Sequence, residues 1–272
     1  MIDGRVPGRL VEKPWGRDRL PPPFDAVPDR RIGEIWFPPP PGVGRLLAKY
    51  LFTSQKVSVQ AHATDEQTLE RGIGRQGKDE CWLILHTEPG AALGVGLREP
   101  VEPDSLRRAA TDGSIEDMLV WYPVEPGDFF YIPANTIHAI GAGVTLLEVE
   151  QNSDLTYRLY DYGRPRDLHL DDGLSIARGE PYPEHLHRKV PPSGEERLVD
   201  GPHFRAARLD GPPSEALVAE WGGGPVLIMP LSGDVEIAGE RVAPGQCGAV
   251  SQLGHARFLH QTQAVIAQAI AA

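Results

Sequence analysis

Short apolar stretches separated by turn signals dominate the chain. Between Lys49 and Trp82, two strand-like stretches flank a short helical one, in which Thr64 and Gln67 stand at capping-box spacing. Segment 103–120 reads as helical. From Met118 to Glu150 the pattern returns to strand: VWYPV, a Pro126-Gly127 turn, DFFYIP, and, after Gly141 to Gly143, VTLLEVE. Alternating strands with turns at this spacing predict a mainly β protein, a sandwich or barrel, with a small helical insertion around 100–120. The proline runs 21–23 and 38–41 read as surface connections, because proline lacks the N–H that helices and central strands need.

The second half repeats the theme weakly. Pro126-Gly127-Asp128 is followed by His138, and Pro244-Gly245-Gln246 by His255 at nearly the same offset. This spacing suggests two related β-barrels in tandem, although Pro-Gly turns are common in β proteins generally. The expected organisation is an N-terminal catalytic domain over 1–180, a polar, proline-rich linker over 181–200, and a degenerate C-terminal β domain over 201–272.

Composition narrows the partners. Against 38 Asp and Glu stand 27 Lys and Arg, a net charge of −11 that disfavours nucleic acid and acidic membrane surfaces. Two cysteines allow at most one bridge, and no stretch is long and apolar enough to span a bilayer. A soluble, cytoplasmic protein is expected. Only five of the basic residues are lysine, at 13, 49, 56, 78 and 189, so each retained lysine is informative.

Residues 72–77, GIGRQG, match GxGxxG, but a dinucleotide site needs a strand before the glycines and a helix after. Here the predicted order is reversed, so a loop is expected. The chemistry lies in VSVQAH (57–62). Strand alternation puts Ser58, Gln60 and His62 on one face and Val57, Val59 and Ala61 on the other. Glu80 opens the next strand with Lys78 on the same face, and His138 follows the Pro126-Gly127 turn. Gln60, His62, Glu80 and His138 offer an amide, two imidazoles and a carboxylate, a set suited to a divalent first-row metal. Spacing alone also fits four unconnected polar residues at strand ends.

The ordered set KPWG, IGEIW, VSVQAH, GKDECW, PGDFFYIPANTIHAIG and LLEVEQNSDLTYRLYDYGRPRDLHL resembles the type I mannose-6-phosphate isomerases, in their short bacterial form, over residues 12 to 178. That family belongs to the cupins, so the resemblance implies jelly-roll barrels. It further implies one zinc ion per chain, or another divalent metal, on Gln60, His62, Glu80 and His138. Arg158 is implied as catalytic, Lys78 as the lysine of the K-x-E motif, and Lys49 with Ser58 as the phosphate-associated pair. Where H-P-D follows the Q-x-H in the family, this chain has His62-Ala63-Thr64, and Asn135 replaces a common glycine.

These residues suit an aldose–ketose isomerisation through an enediolate, whose negative charge a metal and the Arg158 guanidinium stabilise. Lys78 is a candidate base if nearby positive charge depresses its pKa. Glu148 and Asp154 are acidic alternatives that also fall at the substrate, so the base stays open. The expected partner is a small phosphorylated sugar, with the chain a monomer or homodimer. Two other readings are a cupin that binds sugar or sugar phosphate without turnover, and a cupin oxygenase. The second favours three histidines and iron, against which the Gln60 amide speaks.

Overall fold

The computed structural model describes residues 2–24, 29–259 and 261–270. Among the described residues strands dominate, in four sheets of seven, six, five and three strands that do not close on themselves. Apolar clusters between the sheets define their stacking. Leu51, Trp82, Ile84 and Leu146 of the seven-stranded sheet pack against Leu93, Val95 and Ile140 of the five-stranded one. The opposite face, with Tyr50, Phe52, Leu83 and Val149, packs against Phe204, Leu227, Met229 and Val265 of the six-stranded sheet. The three-stranded sheet covers the far side of the six-stranded one through Val235, Ile237 and Phe258.

Helices cover the remaining face of the five-stranded sheet. Pro103–Asp112 and Ile115–Met118 bury Leu106, Ala109 and Ile115 with Val59, Ala139 and Leu159. Helix Asp65–Glu70 starts at the expected capping box, in which Thr64 and Gln67 each accept the other's backbone N–H. The GIGRQG segment follows that helix and precedes strand Glu80–Thr87, the order that excludes a dinucleotide fingerprint.

Two pairings join distant parts of the sequence. Gly4–Val6 pairs with Cys247–Val250 at the edge of the six-stranded sheet. Within residues 181–200, strand Glu196–Asp200 pairs with Phe204–Asp210. Among the described residues no helix is long and apolar enough to cross a membrane.

The seven-stranded sheet positions the chemistry. Strands Leu46–Phe52 and Val144–Gln151 are buried along their whole length, so both of their faces lie against other layers. Alternation then sends Ala48, Tyr50, Leu147 and Val149 to one core and Lys49, Glu148 and Glu150 to the other. In register, Lys49 lies opposite Glu148, Glu148 opposite Trp82, and Glu150 opposite Glu80. Charged side chains therefore point into the layer between the seven- and five-stranded sheets.

Candidate metal centre

The five-stranded sheet supplies the other wall. On strand Val59–Ala61, Gln60 is in register with His138 of strand His138–Ile140 on one side and with Arg158 of Tyr157–Tyr160 on the other. His62 follows two residues later on the same face. Glu80 faces this row from the opposite sheet, with Oε2 3.5 Å from His62 Nε2 and Oε1 3.3 Å from His138 Nε2. One donor atom from each of His62, Glu80 and His138 lies within 4.8 Å of the others.

Local backbone contacts hold these donors. Gly77 donates to Asp65 Oδ1 at 2.6 Å, and Lys78 N donates to Ala63 O at 2.9 Å. A Cβ at Gly77 would meet Ala63 O at 2.4 Å, so only glycine permits this approach just before Lys78 and Glu80. Asn135 adopts a left-handed backbone at φ 70, a conformation glycine and asparagine share. Its N and Nδ2 donate to His62 O at 2.7 and 3.1 Å, which couples the His138 loop to the Q-x-H strand.

The donor chemistry fits a cation. Nδ1 of His62 lies 2.9 Å from Leu155 O, and Nδ1 of His138 lies 2.9 Å from Thr136 O. Carbonyl oxygens only accept, so each Nδ1 carries the proton and each Nε2 presents a lone pair. Those lone pairs point at the two buried oxygens of Glu80, of which Oε2 has Lys78 Nζ 2.9 Å to one side and Oε1 has no cation beside it among the described residues. Three electron-rich groups converging in a dry layer repel one another unless a positive charge stands between them. Protonated histidine does not supply it, because burial lowers the pKa of both imidazoles, His138 to about 4. Gln60 completes the set: its Nε2 lies 3.2 Å from His138 Nε2 and its Oε1 accepts from Ser58 Oγ at 3.1 Å. Rotating the amide by 180° exchanges O and N and turns the ligating oxygen inward.

The lowered imidazole pKa values set a pH dependence. The unfolded chain binds protons near pH 6.5 that the folded chain excludes, so the stability they contribute is complete above that pH and falls as pH drops toward 4. For His138 the expected loss is about 2 kcal/mol between pH 6.5 and 5 in chelated protein. Urea unfolding at both pH values, with His138→Gln as control, measures it. An equal fall in the two proteins would contradict the assignment.

Beside the donors lies a buried ionic cluster. Lys78 Nζ contacts Glu80 Oε2 at 2.9 Å, Glu150 Oε2 at 2.7 Å and His62 Nε2 at 3.4 Å. Lys49 Nζ contacts Glu150 Oε1 at 2.5 Å and Glu148 Oε1 at 3.3 Å, and sits 4.5 Å from the Trp36 ring centre. Glu148 Oε2 accepts from Trp82 Nε1 at 2.9 Å. Burial alone would depress the Lys78 pKa, but Glu150, Glu80 and Glu148 outweigh it and push it well above the usual lysine range. These carboxylates favour the charged form of Lys78, whereas a base needs the opposite shift.

A cleft of about 470 Å³ opens beside the Q-x-H strand, lined by Ser58, Gln60, Asp154, Arg158, Arg166 and His169 among others. Arg158 is fixed there by donation from its backbone N to His169 Nδ1 at 3.1 Å, by donation from His169 N to its carbonyl at 2.8 Å, and by donation from its guanidinium to Asp167 O at 2.8 Å. The structure thus groups Gln60, His62, Glu80 and His138 with Lys78, and puts Ser58, Asp154 and Arg158 at the cleft. Lys49 and Glu148 do not line it: each is 4% exposed and sits behind the donors. Sequence reasoning missed Glu150, whose signal was the alternation of acids in the apolar run VTLLEVE.

No protein-family model matches the chain. The chain is similar in sequence to mannose-6-phosphate isomerases. It is 39% identical over 145 residues to the mannose-6-phosphate isomerase ManA of Bacillus subtilis (strain 168), covering 51% of this chain and 46% of that protein. Over 137 residues it is 39% identical to the mannose-6-phosphate isomerase of Streptococcus mutans (serotype c, strain UA159), covering 48% of this chain and 43% of that protein. The matched segments therefore span about half the length of these relatives. In fold, the chain is similar to the crystal structure of the Bacillus subtilis mannose 6-phosphate isomerase, with a TM-score of 0.76, 22% identity, and coverage of 98% of this chain and 100% of that one. A zinc-bound mannose 6-phosphate isomerase superposes with a TM-score of 0.73 and 13% identity over 100% of both chains.

Proposed function

We propose that this chain is a zinc-dependent isomerase interconverting mannose 6-phosphate and fructose 6-phosphate. The observation that carries the metal is the pair of imidazole Nε2 lone pairs aimed at the two buried oxygens of Glu80, 3.3 and 3.5 Å away. The names of the sequence relatives support the reaction, and the zinc-bound structural neighbour supports the choice of metal. The donors would be Gln60, His62, Glu80 and His138. Bound there, zinc would supply Lewis-acid polarisation of the sugar's carbonyl and hydroxyl oxygens.

The chain's own residues do the rest. An enediolate carries negative charge on oxygen, and Arg158, which keeps its proton at any working pH, presents fixed positive charge to the cleft. The Lys78 ammonium adds a second cation beside the donors. Asp154, the carboxylate among the cleft-lining residues, is the proposed carrier of the proton between C1 and C2. Ser58 orients Gln60 through its hydroxyl, and Lys49 with Glu148 sets the charge behind the donors. The substrate phosphate is proposed to face the basic rim of the cleft, where Lys13 and Arg166 stand, instead of Lys49.

The fold and its placement complete the reading. The stacked sheets are proposed to be two cupin jelly rolls, a catalytic one over 1–180 and a degenerate one over 201–272, joined by 181–200. The protein would work in the cytoplasm as a monomer or homodimer. A non-catalytic sugar-phosphate binder would have no use for a fixed Arg158 guanidinium at the cleft together with Lys78 among the metal donors. A coupled assay on zinc-loaded protein tests the choice: mannose 6-phosphate is expected to turn over at least 100-fold faster than unphosphorylated mannose by kcat/KM, a factor equal to about 2.7 kcal/mol of phosphate recognition. Equal rates, or none above buffer, would contradict the assignment.

A further inference from the structure

We propose that Glu150 is a positioning residue that clamps Lys49 and Lys78 to one carboxylate and thereby fixes where the Lys78 ammonium sits beside the metal donors Glu80 and His62. The kinetic part of this inference rests on the isomerase reading; the geometric part does not.

Glu150 is fully buried, and each of its oxygens contacts a different lysine: Oε1 faces Lys49 at 2.5 Å and Oε2 faces Lys78 at 2.7 Å. Its position follows from strand register. Val144–Gln151 places Glu150 opposite Glu80 on one neighbouring strand and opposite Leu47 on the other, two residues along the strand from Lys49. Two acids directly opposite each other repel, and the Lys78 ammonium between them relieves that repulsion. Lys49 cannot follow Lys78 forward, because Glu148 and the Trp36 ring hold it from its other sides.

Lys78 also touches the donor set. Its remaining partners are Glu80 Oε2 and His62 Nε2, two atoms that a cation needs. Lysine has a flexible four-carbon stem and three donors, so without Glu150 its ammonium would be held by those two atoms alone and compete more strongly with the metal. Glu150 is the counter-anchor. A plain core ion pair would need one lysine; this carboxylate spans two, one of which borders the donor set.

Two measurements test the clamp. In ¹⁵N-lysine-labelled protein, Lys49 and Lys78 are expected to give slowly exchanging ammonium signals, and Glu150→Gln should broaden or lose that of Lys78. This readout holds whether or not the protein turns over sugar phosphate, so an inactive wild type overturns the isomerase reading alone. With turnover, Glu150→Gln is expected to lower kcat 10- to 100-fold with KM changed less than threefold and to weaken zinc binding, in line with the cost of small misplacements at active sites. It should add nothing to Lys78→Met, because Glu150 acts through Lys78. Glu150→Asp keeps the charge but is too short to span both lysines, and should lower kcat less than the glutamine variant. Unchanged ammonium signals in Glu150→Gln, a kcat equal to wild type in either variant, or a full additive loss on top of Lys78→Met would overturn the proposal.

Discussion

Glu80→Gln is expected to retain no zinc after dialysis and to turn over mannose 6-phosphate roughly 10³-fold more slowly than the parent protein, the scale of losing Lewis-acid stabilisation worth several kcal/mol. Glu80 is the only anion in the proposed donor set, and both of its oxygens face imidazole lone pairs. An amide in its place offers one acceptor and a donor group, removes the charge that attracts a dication, and leaves Lys78 leaning on Glu150 alone. Metal content by elemental analysis separates this from a general folding defect, for which circular dichroism serves as control. A variant that keeps one zinc per chain and near-normal kcat would place the metal elsewhere.

Arg158→Ala is expected to lower kcat by about 10²- to 10³-fold while zinc content stays at one per chain, the usual size of losing one preorganised group that stabilises developing negative charge. The guanidinium borders the cleft and stands in register with Gln60, so it can face substrate without touching the metal. Its backbone is pinned by His169 and its side chain by Asp167 O, which leaves little motion to freeze during reaction. Arg158→Lys should recover only part of the rate, because a single ammonium cannot reproduce the planar fork. Full activity in Arg158→Ala would remove it from the chemistry, and a parallel loss of zinc would make its role structural.

Strand alternation carried much of this site in the sequence. Period two within VSVQAH places Ser58, Gln60 and His62 on one face, and the capping box at Thr64 and Gln67 marks the helix that follows. What alternation leaves out is which face meets which layer. Glu148 and Glu150 in VTLLEVE have the pattern of a half-solvated strand, yet both faces of Val144–Gln151 are covered, and the acids serve a buried charge cluster. The family resemblance implies Lys49 beside the phosphate, whereas its register opposite Glu148 places it in the buried charge cluster. Lys78 reads as a candidate base, and the chain alone does not show that Glu150, distant in sequence, comes within 2.7 Å of it. The pairing of Gly4–Val6 with Cys247–Val250 has no local signal, because it depends on two strand edges at opposite ends of the chain.

Titrating chelated protein with zinc while following mannose 6-phosphate turnover tests the central claim most directly. Turnover should rise from near zero in proportion to added zinc and level off at one equivalent per chain. A rate that is the same before and after zinc, or a fully loaded protein with no turnover, would contradict it.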